Sequence, residues 1–262
     1  MTHIEFQRSA ISPGDCIGNG WNVVSNKFWL YIGVGLLTLI LIGCIPIVNL
    51  FLVGPVLAGF YFVVLRDMRG EPVDFGMMFK GFEKFVPLMA VGLIQQIPAI
   101  IFQVLRFTVD IGQLIGVGKF PPSGRGTFLQ SSGPDLSVLQ GLSFVLIVVG
   151  LGFALFSIVW SVALQFAIPL VLEHDIGVVD AIKLSISAAF GNLGGLIGLI
   201  ILSMLVALLG IVAICLGIFV AIPVIYAANA FAYRQVFPLI EQNFNFTPPP
   251  PTAYGSSFGS GM

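Results

Sequence analysis

Few residues in this sequence are of a type that does chemistry, and most of those lie inside apolar runs. The histidines are His3 and His174, and the cysteines are Cys16, Cys44 and Cys215. Neither histidine belongs to an H-E-x-x-H or related metal spacing, and three scattered cysteines make neither a zinc pattern nor a disulfide framework. They read as small apolar packing residues, and no cofactor or metal is expected. Leu41-Ile42-Gly43-Cys44 has the form of a lipoprotein cleavage box. It lies deep in the chain and runs on into further apolar sequence, so it reads as chance. No Asp, Glu, Lys or Arg falls within any run long enough to cross a membrane. Proton relays, ion-coupled pumps and intramembrane proteases place ionisable residues there. The sequence therefore predicts a non-enzymatic protein.

What remains is amide chemistry. Gln95, Gln96, Gln103, Gln165 and Asn229 sit in apolar runs, and each amide is both donor and acceptor. Facing a common space, they would line a path for a neutral or polar solute. Facing neighbouring helices, they would act as interhelical glue, each worth about 0.6 kcal/mol. Glue is the default role of amides in such bundles. Gln95 and Gln96 are consecutive, so they point about 100° apart on a helix and cannot serve one partner equally.

The elements that hold these residues follow from composition. Of 262 residues, 57% are hydrophobic and 9% charged, with mean hydropathy +1.04 and net charge −1. A soluble domain carries about 25% charged residues, so the bilayer is the solvent here. The charge balance gives no case for nucleic acid. The fold predicted is all-α, a polytopic membrane helix bundle of six spans at 28–43, 48–65, 85–105, 137–171, 193–209 and 214–233. The unit 28–236 is preceded by a cytoplasmic lead-in, 1–27, too polar for a signal-peptide core.

Within the lead-in, Ser12-Pro13 looks like an N-cap followed by proline at the first helical position, and Ile17, Trp21 and Val24 recur at helical spacing. Residues 66–84 are the main charged segment. There Asp74 reads as an N-cap, Val73 and Met78 stand at staple spacing, and Phe75, Met78, Phe79, Phe82 and Phe85 read as one face of an interfacial amphipathic helix. A second such helix, within Glu173 to Phe190, carries Val179, Ile182, Ile186 and Ala189 along one side. Residues 106–135 read as an outside loop rich in glycine and proline. Residues 237–262, with Pro248 to Pro251, read as a disordered cytoplasmic tail able to dock a protein partner in extended form.

The run 136–172 is long enough for one tilted span or two short ones, and charge chooses one. With six spans and a cytoplasmic N-terminus, eight of the eleven Lys and Arg residues lie inside; splitting the run leaves six. The positive-inside rule favours the first arrangement. It also orients two similar hairpins alike. Asn26, Gly43, Phe51, Pro55 and Arg66 in the first match Asn192, Gly210, Phe219, Pro223 and Arg234 in the second. This pattern reads as a parallel internal repeat.

The segment Gly59-Phe60-Tyr61 … Arg66 … Arg69-Gly70-Glu71 … Phe79-Lys80-Gly81-Phe82, with Phe166-Ala167-Ile168-Pro169 … Asp180-Ala181 … Ser185, carries a family likeness. Over about residues 15–236 the chain resembles uncharacterised bacterial six-span membrane proteins related to the membrane domain preceding some glycerophosphodiester phosphodiesterases. The resemblance implies an inner-membrane location and a six-span fold. The phosphodiesterase domain of those fusions is absent, so no activity is implied. The leading functional expectation is a scaffold or accessory protein in the lipid bilayer. The alternative is a small transporter or flux facilitator for a neutral or polar solute.

Overall fold

The structure is a computed structural model that describes residues 4–43, 46–115, 136–212 and 216–238. Cys44, Cys215, residues 116–135 of the predicted outside loop and residues 239–262 of the predicted tail lie outside the described residues. All regular structure among the described residues is helical: α1 (Pro13–Asn26), α2 (Phe28–Gly43), α3 (Pro46–Met68), a 3-10 segment (Phe75–Phe82), α4 (Phe85–Gln95), α5 (Ile97–Ile115), α6 (Leu136–Leu164), α7 (Ala167–His174), α8 (Val178–Gly191), α9 (Leu193–Val212) and α10 (Leu216–Val236). Four stretches are long and apolar enough to cross a membrane: Asn49–Met68, Ile147–His174, Leu193–Val212 and Gly217–Val236. Two bent pairs, α1 with α2 (105°) and α4 with α5 (58°), bring the count of candidate spans to as many as six. The chain is thus a multi-pass helical bundle.

The hub is α3, which packs against α2, the 3-10 segment, α4, α7 and α10. Glycine makes this possible by removing side-chain bulk. A Cβ on Gly54 would stand 1.9 Å from the Leu88 carbonyl oxygen, and one on Gly59 1.9 Å from that of Met78. Backbones meeting this closely gain dispersion contact, the main attraction left to helices whose apolar surfaces already have lipid. Gly70 answers a different need. It has φ +73° with open space around it, so the requirement is conformational. Its N–H bonds the Asp67 carbonyl at 2.9 Å, and the Glu71 N–H bonds that of Arg66 at 3.3 Å. This double closure is a Schellman stop for α3.

Several sequence expectations change in detail. The 3-10 segment begins as read, with the Asp74 carboxylate accepting from the Met77 N–H at 3.2 Å. At three residues per turn it buries Met78 and Gly81 while leaving Phe75 and Phe79 exposed, so its aromatic residues do not form one buried face. Pro13 does open α1, but Ser12 makes no side-chain cap; its N–H goes instead to Gln235 Oε1, 2.9 Å away. In α8 the buried residues are Ala181, Ser185, Ala188 and Ala189, while Val179 and Ile186 are exposed. Small residues face protein and large ones face outward, as lipid solvent favours.

Helix α5 continues through Arg106 to Ile115, where a loop was expected; no glycine or proline stands between Gln103 and Ile111 to stop it. The predicted span 137–171 keeps one membrane-length stretch, Ile147–His174, with a local interruption of its helix at Gln165 and Phe166. Phe237, assigned to the tail, is buried against Phe166 and Tyr233, so the core ends one residue later than read.

Candidate functional site

Two broken helices cross beside each other, and proline causes both breaks. A proline has no N–H for the carbonyl four residues back and its ring displaces that carbonyl. Pro98 does this to Ile94, and Pro169 to Gln165. Side chains from neighbouring helices bond to the backbone at both breaks. Trp160 on α6 donates its indole N–H to the Ile94 carbonyl at 2.9 Å. Gln95 Nε2 donates to the Leu164 carbonyl at 2.7 Å. Ser185 on α8 spans the second break, accepting from the Phe166 N–H at 3.2 Å and donating to the Ala163 carbonyl at 2.8 Å. Without water, an unmet backbone carbonyl is costly, so broken helices persist where neighbours supply donors.

Gln96 turns the other way, and its Nε2 donates to the Leu50 carbonyl of α3 at 3.2 Å. The adjacent glutamines therefore serve different helices, as their 100° separation requires.

Gln165 and Asn229 come together. Ile158, Ser161, Val162 and Gln165 follow helical spacing on α6, as do Ile200, Ser203, Met204 and Ala207 on α9, and Ile225 with Asn229 on α10. These three faces line one recess of about 410 Å³. Its polar groups are two amides and two hydroxyls, and no charged residue lines it. Gln165 Nε2 is buried there with no hydrogen-bond partner. Behind a shared wall of Ile158, Val162 and Ile200 lies a second cavity of about 320 Å³, lined entirely by apolar residues of α6, α8 and α9.

The charged residues gather where α3, α7 and α10 end and α4 begins. Glu173 takes both Arg234 nitrogens, at 2.7 and 3.2 Å, and the Tyr233 hydroxyl at 2.9 Å. Glu71 lies 2.7 Å from Arg66 Nε and 3.3 Å from Arg69 Nε, and Arg69 also approaches Glu173. Asp67 accepts from Tyr31 at 2.7 Å and pairs with Lys27; Lys84 pairs with Asp175 at 2.9 Å. Pro55 and Pro223 lie within α3 and α10, without interrupting either. The motif Arg66, Arg69, Gly70 and Glu71 is therefore a helix stop with an ion-pair clasp.

Sequence reasoning singled out Gln95, Gln96, Gln165 and Asn229 and passed over Ser161, Ser203 and Trp160; Ser185 entered only as part of the family-like motif. The four-residue step from Ser161 to Gln165 was the available signal. Asn192, read as a marker opening the second hairpin, is 2% exposed. It accepts from the Ala10 N–H and donates to the Gln7 and Ala188 carbonyls, each at 2.9 Å, pinning the lead-in to α8. Among the described residues no group of His, Cys, Asp and Glu is placed to hold a metal. No protein-family model, curated protein or solved structure matches this chain.

Proposed function

We propose that this chain is a non-enzymatic scaffold or accessory component of the bacterial cytoplasmic membrane, crossing it six times with both termini inside. The crossings are α2, α3, α4 with α5, α6 with α7, α9 and α10. Lys27, Arg66, Arg69, Lys84 and Arg234 share one end of the bundle through the contacts above, and the positive-inside rule makes that end cytoplasmic. Local geometry supports the repeat. Helices α1 and α8 each have 14 residues. Each stops at one residue of similar backbone, Lys27 (φ −125°, ψ 48°) and Asn192 (φ −128°, ψ 22°), which sets Asn192 against Lys27 rather than against Asn26. A hairpin follows each, with a proline inside its second helix.

The observation that carries the scaffold reading is the engagement of Gln95 and Gln96 with carbonyls of α6 and α3. A solute path built on them would require both amides free. The test is cysteine placed at positions 95, 96 and 229 in a protein whose Cys16, Cys44 and Cys215 have been replaced. A membrane-impermeant thiol reagent should leave positions 95 and 96 unmodified. Rapid modification of two of the three sites, protected by a polar solute, would replace this reading with the transporter. The proline-rich tail is the proposed docking segment for a protein partner, and truncation after Gln242 should remove that partner without unfolding the bundle.

A further inference from the structure

We propose that the recess between α6, α9 and α10 binds an uncharged amphiphile from the bilayer, a lipid with a hydroxyl or carbonyl head and a long acyl or alkyl chain. This goes beyond the scaffold role and does not depend on it. Three observations select the ligand class. The polar lining is Ser161, Gln165, Ser203 and Asn229, which offer hydrogen bonds and no charge. A phosphate or carboxylate head would lose its hydration without a cation in return; a hydroxyl or ester would find both donors and acceptors.

The second observation is the unmet Gln165 Nε2. A buried donor without a partner calls for a structural reason, and the proline break explains the position of the side chain without supplying an acceptor. The donor is closed to solvent as it stands; turning the amide about its terminal bond brings it to the recess, where a ligand oxygen supplies the acceptor.

The third is the division into a polar and an apolar cavity about Ile158, Val162 and Ile200. A head among the amides lets its chain pass this wall into the apolar space. Each cavity lies within the ordinary range for ligand sites, about 300–1,000 Å³. Entry is sideways: Ile158 and Met204 at the rim are 48% and 62% exposed, beside the exposed Leu155 and Ile201. The mouth therefore opens on hydrocarbon, where a lipid is already concentrated.

The test uses the full-length protein in lipid nanodiscs and three photoactivatable probes of equal chain length: a fatty alcohol, a fatty acid and an alkane without a head. Alcohol adducts should concentrate on 158–165 and 200–207 and exceed those of the other two probes. Gln165→Leu with Asn229→Leu should lower alcohol labelling about fivefold, as for loss of one net hydrogen bond, while alkane labelling holds. Ser161→Ala with Ser203→Ala provides a milder change should the amide variant fold poorly, and it should lower alcohol labelling in the same direction. Ile200→Trp should block the shared wall and lower alcohol labelling. Equal labelling by alcohol and alkane, equal labelling by alcohol and acid, or labelling indifferent to both polar double variants would overturn the proposal. So would crosslinks showing a second copy of the chain seated between residues 158 and 204.

Discussion

The Trp160 indole N–H lies 2.9 Å from the Ile94 carbonyl oxygen, and that oxygen is the one Pro98 deprives of a helical partner. Gln95, the next residue, makes the return contact to the Leu164 carbonyl beside the second break, so the two broken helices are bonded to each other where each is interrupted. The crossing is a fixed joint built from two defects. It also sets the position of Gln165, which begins the second break and faces the recess.

A double-mutant cycle tests the joint. Trp160→Phe removes the donor while keeping an aromatic ring, and should lower stability by about 1–3 kcal/mol, the cost of an unmet buried acceptor. Pro98→Ala supplies a backbone N–H for Ile94. In that background Trp160→Phe should cost less, with a coupling of about 0.5 kcal/mol or more, read by reversible unfolding in mixed micelles. Additive losses would mean that the indole contact caps nothing.

Three glycines separate steric from conformational need. Gly59→Ala places a methyl group against the Met78 carbonyl and should cost about 1–3 kcal/mol as overpacking. Gly70→Ala meets open space but a positive φ, and should cost about 1–2 kcal/mol. Gly194→Ala meets neither obstacle and should raise helix stability by up to about 1 kcal/mol. Thermal unfolding of the three variants would rank them in that order. A tolerated Gly59→Ala would contradict the close approach of α3 to the 3-10 segment.

Glu173 carries the ion-pair cluster at its end of the bundle. Its side chain is 13% exposed and that of Arg234 is 17%. Removing one member of this partly buried, bidentate pair leaves the other short of a partner, at about 1.5–3 kcal/mol, the range for hydrogen bonds to charged groups. Glu173→Ala should therefore destabilise, and Arg234→Ala made in its presence should add little. Independent, additive losses would show that the two groups do not act as a pair.

Topology can be read with reporter fusions after Arg69, at Gly124, after Lys183 and after Tyr254. The six-span orientation gives inside, outside, inside and inside. An outside signal at Lys183 would split the run 136–172 into two crossings and remove the parallel orientation of the hairpins.

The sequence alone determined the solvent of this protein and its helical architecture. Bilayer hydrocarbon demands long uncharged runs with internally bonded backbones, and that demand is visible in composition and run length. The start of the 3-10 segment was legible for a local reason, since Asp74 caps the segment that it begins; the stop at Gly70, which needs only its own φ, was local too but went unread. The prolines by themselves did not say which helices would break: Pro55 and Pro223 lie inside continuous helices, whereas breaks precede Pro98 and Pro169. Which side chains would meet the displaced carbonyls was not legible, because Trp160 is 66 residues from Ile94 and helix period fixes a side chain's direction without naming its partner. The same limit hid the buried face of α8, where small residues face protein while Val179, Ile186 and Phe190 are exposed. Gln165 and Asn229 could be picked out as amides in apolar runs. Only the packing of α6, α9 and α10 decided that they share one recess while Gln95 and Gln96 do not. Helix faces are local properties of a chain, whereas a cavity exists only where several faces fail to close on one another.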